Sequence, residues 1–133
     1  MARIQICSWL LGLTQKAYFR YSEKKVLALG PDLACAYWLV RVGASFRLVN
    51  SSQEIDSYWS LRKLRKSLPS NQIQLEEIDF SDSVCMDKAF DYLNGLNHVR
   101  SVKMNFCVYI RDDAVLKLTH LEKSLKHLEI QVL

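Results

Sequence analysis

The chain has 133 residues, of which 50% are hydrophobic and 24% charged, a composition typical of one globular domain. Four Gly and two Pro argue against a collagen-like or disordered chain, and no run approaches the ~20 apolar residues of a membrane-spanning helix. The net charge of +4 combines +7 over residues 1–72 with −3 over residues 73–133, which is too modest to indicate a nucleic-acid partner.

The N-terminal segment is basic and amphipathic. Residues 1–22 contain Lys and Arg among apolar side chains and no Asp or Glu. Two interpretations fit this pattern: a mitochondrial presequence, or an ordinary first helix, which the periodicity places over 8–20.

Clear end signals mark the next helix. Gly30-Pro31-Asp32 begins it, with Pro in the first turn and Asp near the positive end of the helix dipole, and Gly43 ends it. The pattern predicts a helix over 31–42, a short strand over Phe46–Val49 and a turn at Asn50–Ser52.

A third helix is predicted over 57–68, with leucines on one face and a basic cluster mostly on the other. The basic cluster consists of Arg62, Lys63, Arg65 and Lys66. It fits either a solvated helix face or a docking site for an acidic partner or anionic lipid head groups, which would make a peripheral membrane contact.

One short frame recurs three times in the second half. The copies are Leu75-x-x-Ile78-x-Phe80, Val99-x-x-Val102-x-Met104 and Leu125-x-x-Leu128-x-Ile130. They are spaced by 24 and 26 residues, the period of leucine-rich repeats. Cys107 and Asp112-Asp113 follow the second copy as in the cysteine-containing class of these repeats. The frame predicts strands that pair in parallel, each followed by a loop and a helix.

Aligned copies of the frame predict charged rows across the exposed sheet face. The rows are Asp79, Lys103 and Glu129; Glu76, Arg100 and Lys126; and Glu77, Ser101 and His127. Charges of opposite sign on neighbouring strands either support the register or form a recognition face for a protein partner. The partner-binding candidates are Glu76, Asp79, Arg100, Lys103, Lys126 and Glu129.

These elements predict an α/β fold in two parts. The first, 1–72, is an N-terminal helical cap with one short strand. The second, 73–133, is a parallel-sheet solenoid of two full leucine-rich repeats and a third strand. Because no helix follows the third strand, we expect a shortened form of a longer chain, with an exposed apolar edge prone to self-association or instability.

Catalytic patterns are absent from the sequence. No HExxH motif, nucleophile-elbow glycines or phosphate-binding glycine loop occurs, so we expect no enzyme. The cysteines Cys7, Cys35, Cys85 and Cys107 are too far apart for CxxC pairs and are expected to be free thiols. If one is reactive, we expect Cys35, near the N-terminus of helix 31–42, rather than Cys107.

From about Trp9 onward the chain resembles a known family, mitochondrial ATP synthase subunit s, also called coupling factor B. The residues that carry the resemblance are Gly30-Pro31-Asp32, Ala34, Trp38-Leu39, Arg41, Gly43-Ala44, Ile78-Asp79, Ser81-Asp82-Ser83, Phe90-Asp91, Gly95-Leu96, His98-Val99, Cys107, Tyr109-Ile110 and Asp112-Asp113. The spacing of Leu121–Leu128 is more similar to a related family, an assembly factor for the membrane arm of respiratory complex I.

The resemblance implies a non-catalytic protein on the matrix side of the mitochondrial inner membrane that binds ATP synthase and supports energy coupling by blocking a proton leak. It also implies a Mg²⁺ ion near Gly30 and Ser70, although no cofactor is required. A complex I assembly factor, which would bind complex I intermediates, and a generic leucine-rich-repeat adaptor are the alternative functions.

Overall fold

A single glycine separates the first two helices of the described residues. The computed structural model describes residues 21–81, 83, 87–105 and 112–131. The helix predicted over 8–20 and Cys107, the cysteine that follows the second copy of the frame, lie outside these residues. Helix α1 spans Glu23–Leu29 and helix α2 spans Pro31–Val42. Gly30 between them has φ +86° and ψ 159°, a conformation that L-residues with side chains avoid, so it both ends α1 and begins α2.

Five short strands within the described residues form one sheet. They are β1 Ser45–Leu48, β2 Glu54–Ile55, β3 Leu75–Asp79, β4 Ser101–Lys103 and β5 His127–Glu129. Their order across the sheet is β2-β1-β3-β4-β5. Strand β1 is antiparallel to both β2 and β3, whereas β3, β4 and β5 run parallel to one another.

The sheet is therefore mixed: the parallel part predicted for 73–133 is extended at its N-terminal edge by two antiparallel strands, an extension that was not predicted. The unpredicted strand β2 follows β1 after a short loop, which suffices for an antiparallel hairpin but is too short for a parallel crossover. The parallel part has the register that the repeat frame predicts. Ile78 pairs with Val102 and Val102 with Leu128.

Helical segments follow the strands. Helix α3 spans Tyr58–Ser67 and is followed by a 3₁₀ turn at Ser70–Gln72, within which the predicted boundary at residue 72 falls. A 3₁₀ helix at Asp87–Leu93 lies between β3 and β4. Helix α4 at Asp112–Lys117, continued by a 3₁₀ helix at Leu118–Leu121, lies between β4 and β5. The segments between β3 and β4 and between β4 and β5 supply the crossovers that parallel strands require.

The centre of the core is Trp38 of α2, which is fully buried. Its ring lies 5.5–5.6 Å from the rings of Phe80, Phe90 and Tyr92, so α2 packs against the segment that leaves β3 and the following 3₁₀ helix. The apolar frame positions of the first two repeats are buried in the same core. In the third copy, Leu128 is 41% exposed and Ile130 is 44% exposed, as expected for the last strand of the described sheet.

Candidate functional site: a charged sheet face

A β-bulge brings two carboxylates to one guanidinium. Arg47 of β1 pairs with Glu77 of β3, and the next residue of β1, Leu48, pairs with Leu75, so Glu76 is the extra residue on β3. Arg47 Nη2 lies 3.1 Å from Glu76 Oε1 and 3.0 Å from Glu77 Oε1. Its Nη1 also donates a hydrogen bond to the carbonyl oxygen of Ser51. The bulge thus makes Arg47 the central cation of the face.

This network extends to the next parallel strand. Arg100 Nε lies 3.3 Å from Glu76 Oε1, so Glu76 lies between two guanidinium groups. The Glu76 side chain is only 13% exposed, whereas that of Arg100 is 60% exposed. The hydrogen bond and charge of Arg47 lower the pKa of Glu77 below its ordinary value. The Glu77 carboxylate is therefore ionised at neutral pH, and the two guanidinium groups hold the Glu76 side chain in place.

The second charged row is less paired. The register places Asp79 beside Lys103 and Lys103 beside Glu129, as the frame predicts. Asp79 accepts a hydrogen bond from the Ser81 N–H, and Glu129 accepts one from the Asn105 side chain. Among the ion pairs of the described residues, none involves Lys103 or Lys126. Their ammonium groups are exposed and available to an external carboxylate.

A shallow depression lies on this face, with a volume of about 210 Å³. Arg47, Glu54, Glu77, Asp79, Ser101 and Lys103 contribute to its lining. Most of its lining residues carry charged or hydroxyl groups. Such a lining suits polar contacts with a protein surface better than it suits an apolar small molecule.

The predicted basic cluster lies on α3, which connects β2 to β3 in the chain. All four side chains are exposed. Arg65 Nη1 donates a hydrogen bond to the Tyr37 hydroxyl at 2.7 Å, and its guanidinium lies 5.7 Å from the Tyr37 ring centroid. Arg65 therefore attaches α3 to α2, leaving the other three cations to solvent.

Gly30 and Ser70, the predicted Mg²⁺ residues, line one pocket together with Asp32, Asn71 and Gln74. The side chains there offer oxygen donors, which suit a hard cation that keeps most of its waters. Asp32 Oδ1 accepts a hydrogen bond from the Leu75 N–H at 2.9 Å. Burial raises the pKa of Asp32 above its ordinary value, and a nearby cation would favour its charged form. The residues present therefore fit a hydrated Mg²⁺ ion.

The environment of Cys35 differs from the expected one. The thiol is fully buried, and this burial, with a further contribution from Asp32, raises its pKa well above the ordinary value. The expectation that the N-terminus of α2 favours a thiolate is therefore wrong, because desolvation outweighs the helix dipole. The comparison with Cys107, which lies outside the described residues, stays a prediction.

Asp91 contacts two basic side chains of the helical segment that precedes β5. His120 Nε2 lies 3.4 Å from Asp91 Oδ1, and Lys117 Nζ lies 3.2 Å from Asp91 Oδ2, an arrangement that joins two helical segments. Within residues 21–81, 83, 87–105 and 112–131, no group of three or more His, Cys, Asp or Glu could hold a metal ion. The same residues contain no helix long and apolar enough to cross a bilayer.

Sequence reasoning missed Arg47, the cation that organises the sheet face. The residue falls within a predicted strand, but its importance depends on the pairing of β1 with β3 and on the bulge at Glu76. Neither follows from the repeat frame. The exposed Trp59 of α3 was also missed. Trp59 precedes Arg62 by three residues and Lys63 by four, a spacing that places all three on one side of a helix and could have identified it.

Curated relatives match most of the chain. The protein named "ATP synthase subunit s, mitochondrial" of Rattus norvegicus is 34% identical over 113 residues, which cover 80% of this chain and 53% of the rat protein. The human protein of the same name is 33% identical over 122 residues, which cover 90% of this chain and 59% of the human protein. The mouse protein is 35% identical over 108 residues.

These matches confirm the resemblance to the subunit s family. The chain spans between half and three-fifths of the length of the relatives it matches. No family model matches the chain. The relation to the complex I assembly factor stays a prediction.

Proposed function

Since this chain is a relative of mitochondrial ATP synthase subunit s, we propose that it is a mitochondrial protein that associates with ATP synthase. The observation that carries this proposal is the 33% identity to the human subunit over 90% of the chain. The proposed role is non-catalytic: the protein acts on the matrix side of the inner membrane and supports energy coupling by limiting a proton leak.

The proposal includes a leucine-rich-repeat architecture for the second half. The parallel pairing of β3, β4 and β5 supports it, as do the 24- and 26-residue steps between their frames. In such an architecture the strands line one face and the helical segments the other. The exposed polar side of the strands would then be the recognition surface.

On this surface the proposed partner contacts are Glu76, Asp79, Arg100, Lys103, Lys126 and Glu129. The bulge network holds Glu76 and Arg100 in place, which reduces the ordering cost of binding. Lys103 and Lys126 supply the unpaired charge and would meet carboxylates of the partner. A Mg²⁺ ion near Gly30 and Ser70 would stabilise the start of α2 rather than take part in a reaction.

Quantitative affinity purification tests the proposal. The tagged chain is expressed in mitochondria, captured after mild detergent extraction, and compared with a tagged matrix protein of similar size. We expect ATP synthase subunits to be enriched. Enrichment of complex I intermediates without ATP synthase would contradict the proposal and favour an assembly factor.

The coupling role needs a separate measurement. In mitochondria that lack the related subunit, respiration without ADP reports the proton leak. The chain should lower this respiration when it is restored. An unchanged leak in mitochondria where the chain co-purifies with ATP synthase would remove the coupling role and leave the association intact.

A further inference from the structure

Helix α3 has a continuous stripe of exposed side chains, called here the outer stripe, that plays no part in the charged sheet face. Trp59, Arg62, Lys63 and Lys66 lie at positions i, i+3, i+4 and i+7, so their side chains share one side of the helix. Leu61 and Leu64, on the opposite side, contact the core. The helix contains no Asp or Glu, so nothing within it neutralises the stripe.

An exposed aromatic pair stands at the beginning of this stripe. Trp59 is 69% exposed and Tyr58 is 54% exposed, and their rings pack at a centroid distance of 6.0 Å. The Arg62 guanidinium lies 5.7 Å from the Trp59 ring centroid. Exposing an indole to water is unfavourable, so its presence beside three cations calls for a partner with both apolar and anionic character.

We propose that the outer stripe of α3 docks on an anionic phospholipid surface, with Trp59 entering the interfacial region and Arg62, Lys63 and Lys66 contacting the lipid phosphates. Indole and phenol rings favour the membrane–water boundary, and Lys and Arg side chains reach from it toward the head groups. With 10 residues, α3 would lie in the plane of the interface.

The aromatic pair favours lipid over an acidic protein. A purely acidic surface would satisfy the three cations but would leave Trp59 in water, whereas a bilayer offers phosphates and an apolar layer within the length of one side chain. Arg65 has a different task, because its bond to Tyr37 fixes α3 on α2 and so orients the stripe. This proposal does not depend on the association with ATP synthase.

Vesicle co-sedimentation of the purified chain tests the proposal. Phosphatidylcholine vesicles with and without cardiolipin are compared at low and high salt. Each cation near an anionic surface is worth about a fivefold change in affinity, so K63E/K66E should weaken binding at least about 25-fold. W59A should weaken it about tenfold through lost apolar contact. K24E/K123E, which makes the same charge change at other exposed positions, should bind within about twofold of wild type at moderate salt.

Fluorescence quenching by brominated lipid identifies the residue that inserts. Wild type should show a quenched component that W59F lacks, and the two proteins should have the same far-ultraviolet circular dichroism. Binding unaffected by K63E/K66E would overturn the proposal. So would equal quenching in W59F, or full binding by W59A together with displacement by polyglutamate, which would indicate an acidic protein partner instead.

Discussion

The Nη2 atom of Arg47 lies 3.1 Å from Oε1 of Glu76 across the antiparallel pair β1–β3. This contact joins the N-terminal part of the chain to the first strand of the parallel part. It exists because the bulge places Glu76 beside Glu77 opposite one arginine. The polar face is therefore organised by a residue from outside the repeats.

Arg47→Ala should lower the free energy of unfolding, because it leaves the mostly buried Glu76 with only Arg100 as a cation. A double-mutant cycle with Glu76→Gln should give a coupling energy of about 1 kcal/mol, since the pair is partly exposed. The matched control is a cycle of Arg100→Ala with Glu76→Gln, where the more exposed arginine should give less. Equal coupling energies in the two urea-unfolding cycles would contradict the central role of Arg47.

Gly95 tests the close packing between two motifs of the family resemblance, Gly95-Leu96 and Gly30-Pro31-Asp32. It has φ +89°, and a Cβ atom at this position would lie 3.1 Å from the Cβ of Pro31. Gly95→Ala should therefore destabilise the fold by about 1–2 kcal/mol through backbone strain, with the contact to Pro31 adding to it.

The control is Gly30→Ala, where φ is +86° but a Cβ would meet nothing within 4 Å. Thermal unfolding should show a loss of stability in both variants, and the loss at Gly30, where φ +86° and ψ 159° are essentially restricted to glycine, measures backbone strain without a contact. A Gly95→Ala variant as stable as the wild type would contradict both the strain and the close approach to Pro31.

Cys35 predicts a pH dependence of stability. Above about pH 8.5, the ordinary pKa of a thiol, the unfolded chain loses the Cys35 proton while the folded chain keeps it. The free energy of unfolding should then fall by up to about 1.4 kcal/mol per pH unit. Urea unfolding between pH 7 and 10 should show a smaller decrease for Cys35→Ala. Parallel curves for the two proteins would show that burial does not govern this thiol.

The pocket at Gly30 and Ser70 predicts stabilisation by Mg²⁺. At ten times its dissociation constant, a ligand stabilises the folded state by about 1.4 kcal/mol, which raises the melting temperature. Asp32→Asn should abolish the rise, because the amide carries no charge to attract the ion. The amide oxygen can still accept the hydrogen bond from the Leu75 N–H, so the fold should be kept. Asp56→Asn, at an exposed position, should retain it. An equal rise in Asp32→Asn would place the ion elsewhere.

The sequence predicted those parts of the fold that local signals and repetition determine. Helix 31–42 was confirmed at α2 because Pro31 and Gly43 are strong end signals, and the register of β3, β4 and β5 follows from an apolar frame. Helix α1 and strand β2 were missed. They are short, and α1 has no buried residue to give an apolar stripe.

The candidate site was predictable only in part, because only some of its contacts follow from local signals or from the repeat. Side chains that share a row in parallel strands can be aligned from the period, so the neighbours Asp79, Lys103 and Glu129 were named correctly. The spacing of the repeated frame does not predict contacts that depend on an antiparallel strand pair or on burial. Arg47 and the buried Cys35 both belong to that second class.

The association with ATP synthase is tested most directly by the affinity of the detergent-solubilised enzyme for the immobilised chain, in the absence of membrane. The chain should bind. K103E/K126E on the sheet face should weaken binding at least about tenfold at moderate salt, and K63E/K66E on α3 should leave it unchanged. Wild-type affinity in K103E/K126E, or no binding by the wild-type chain, would contradict this prediction.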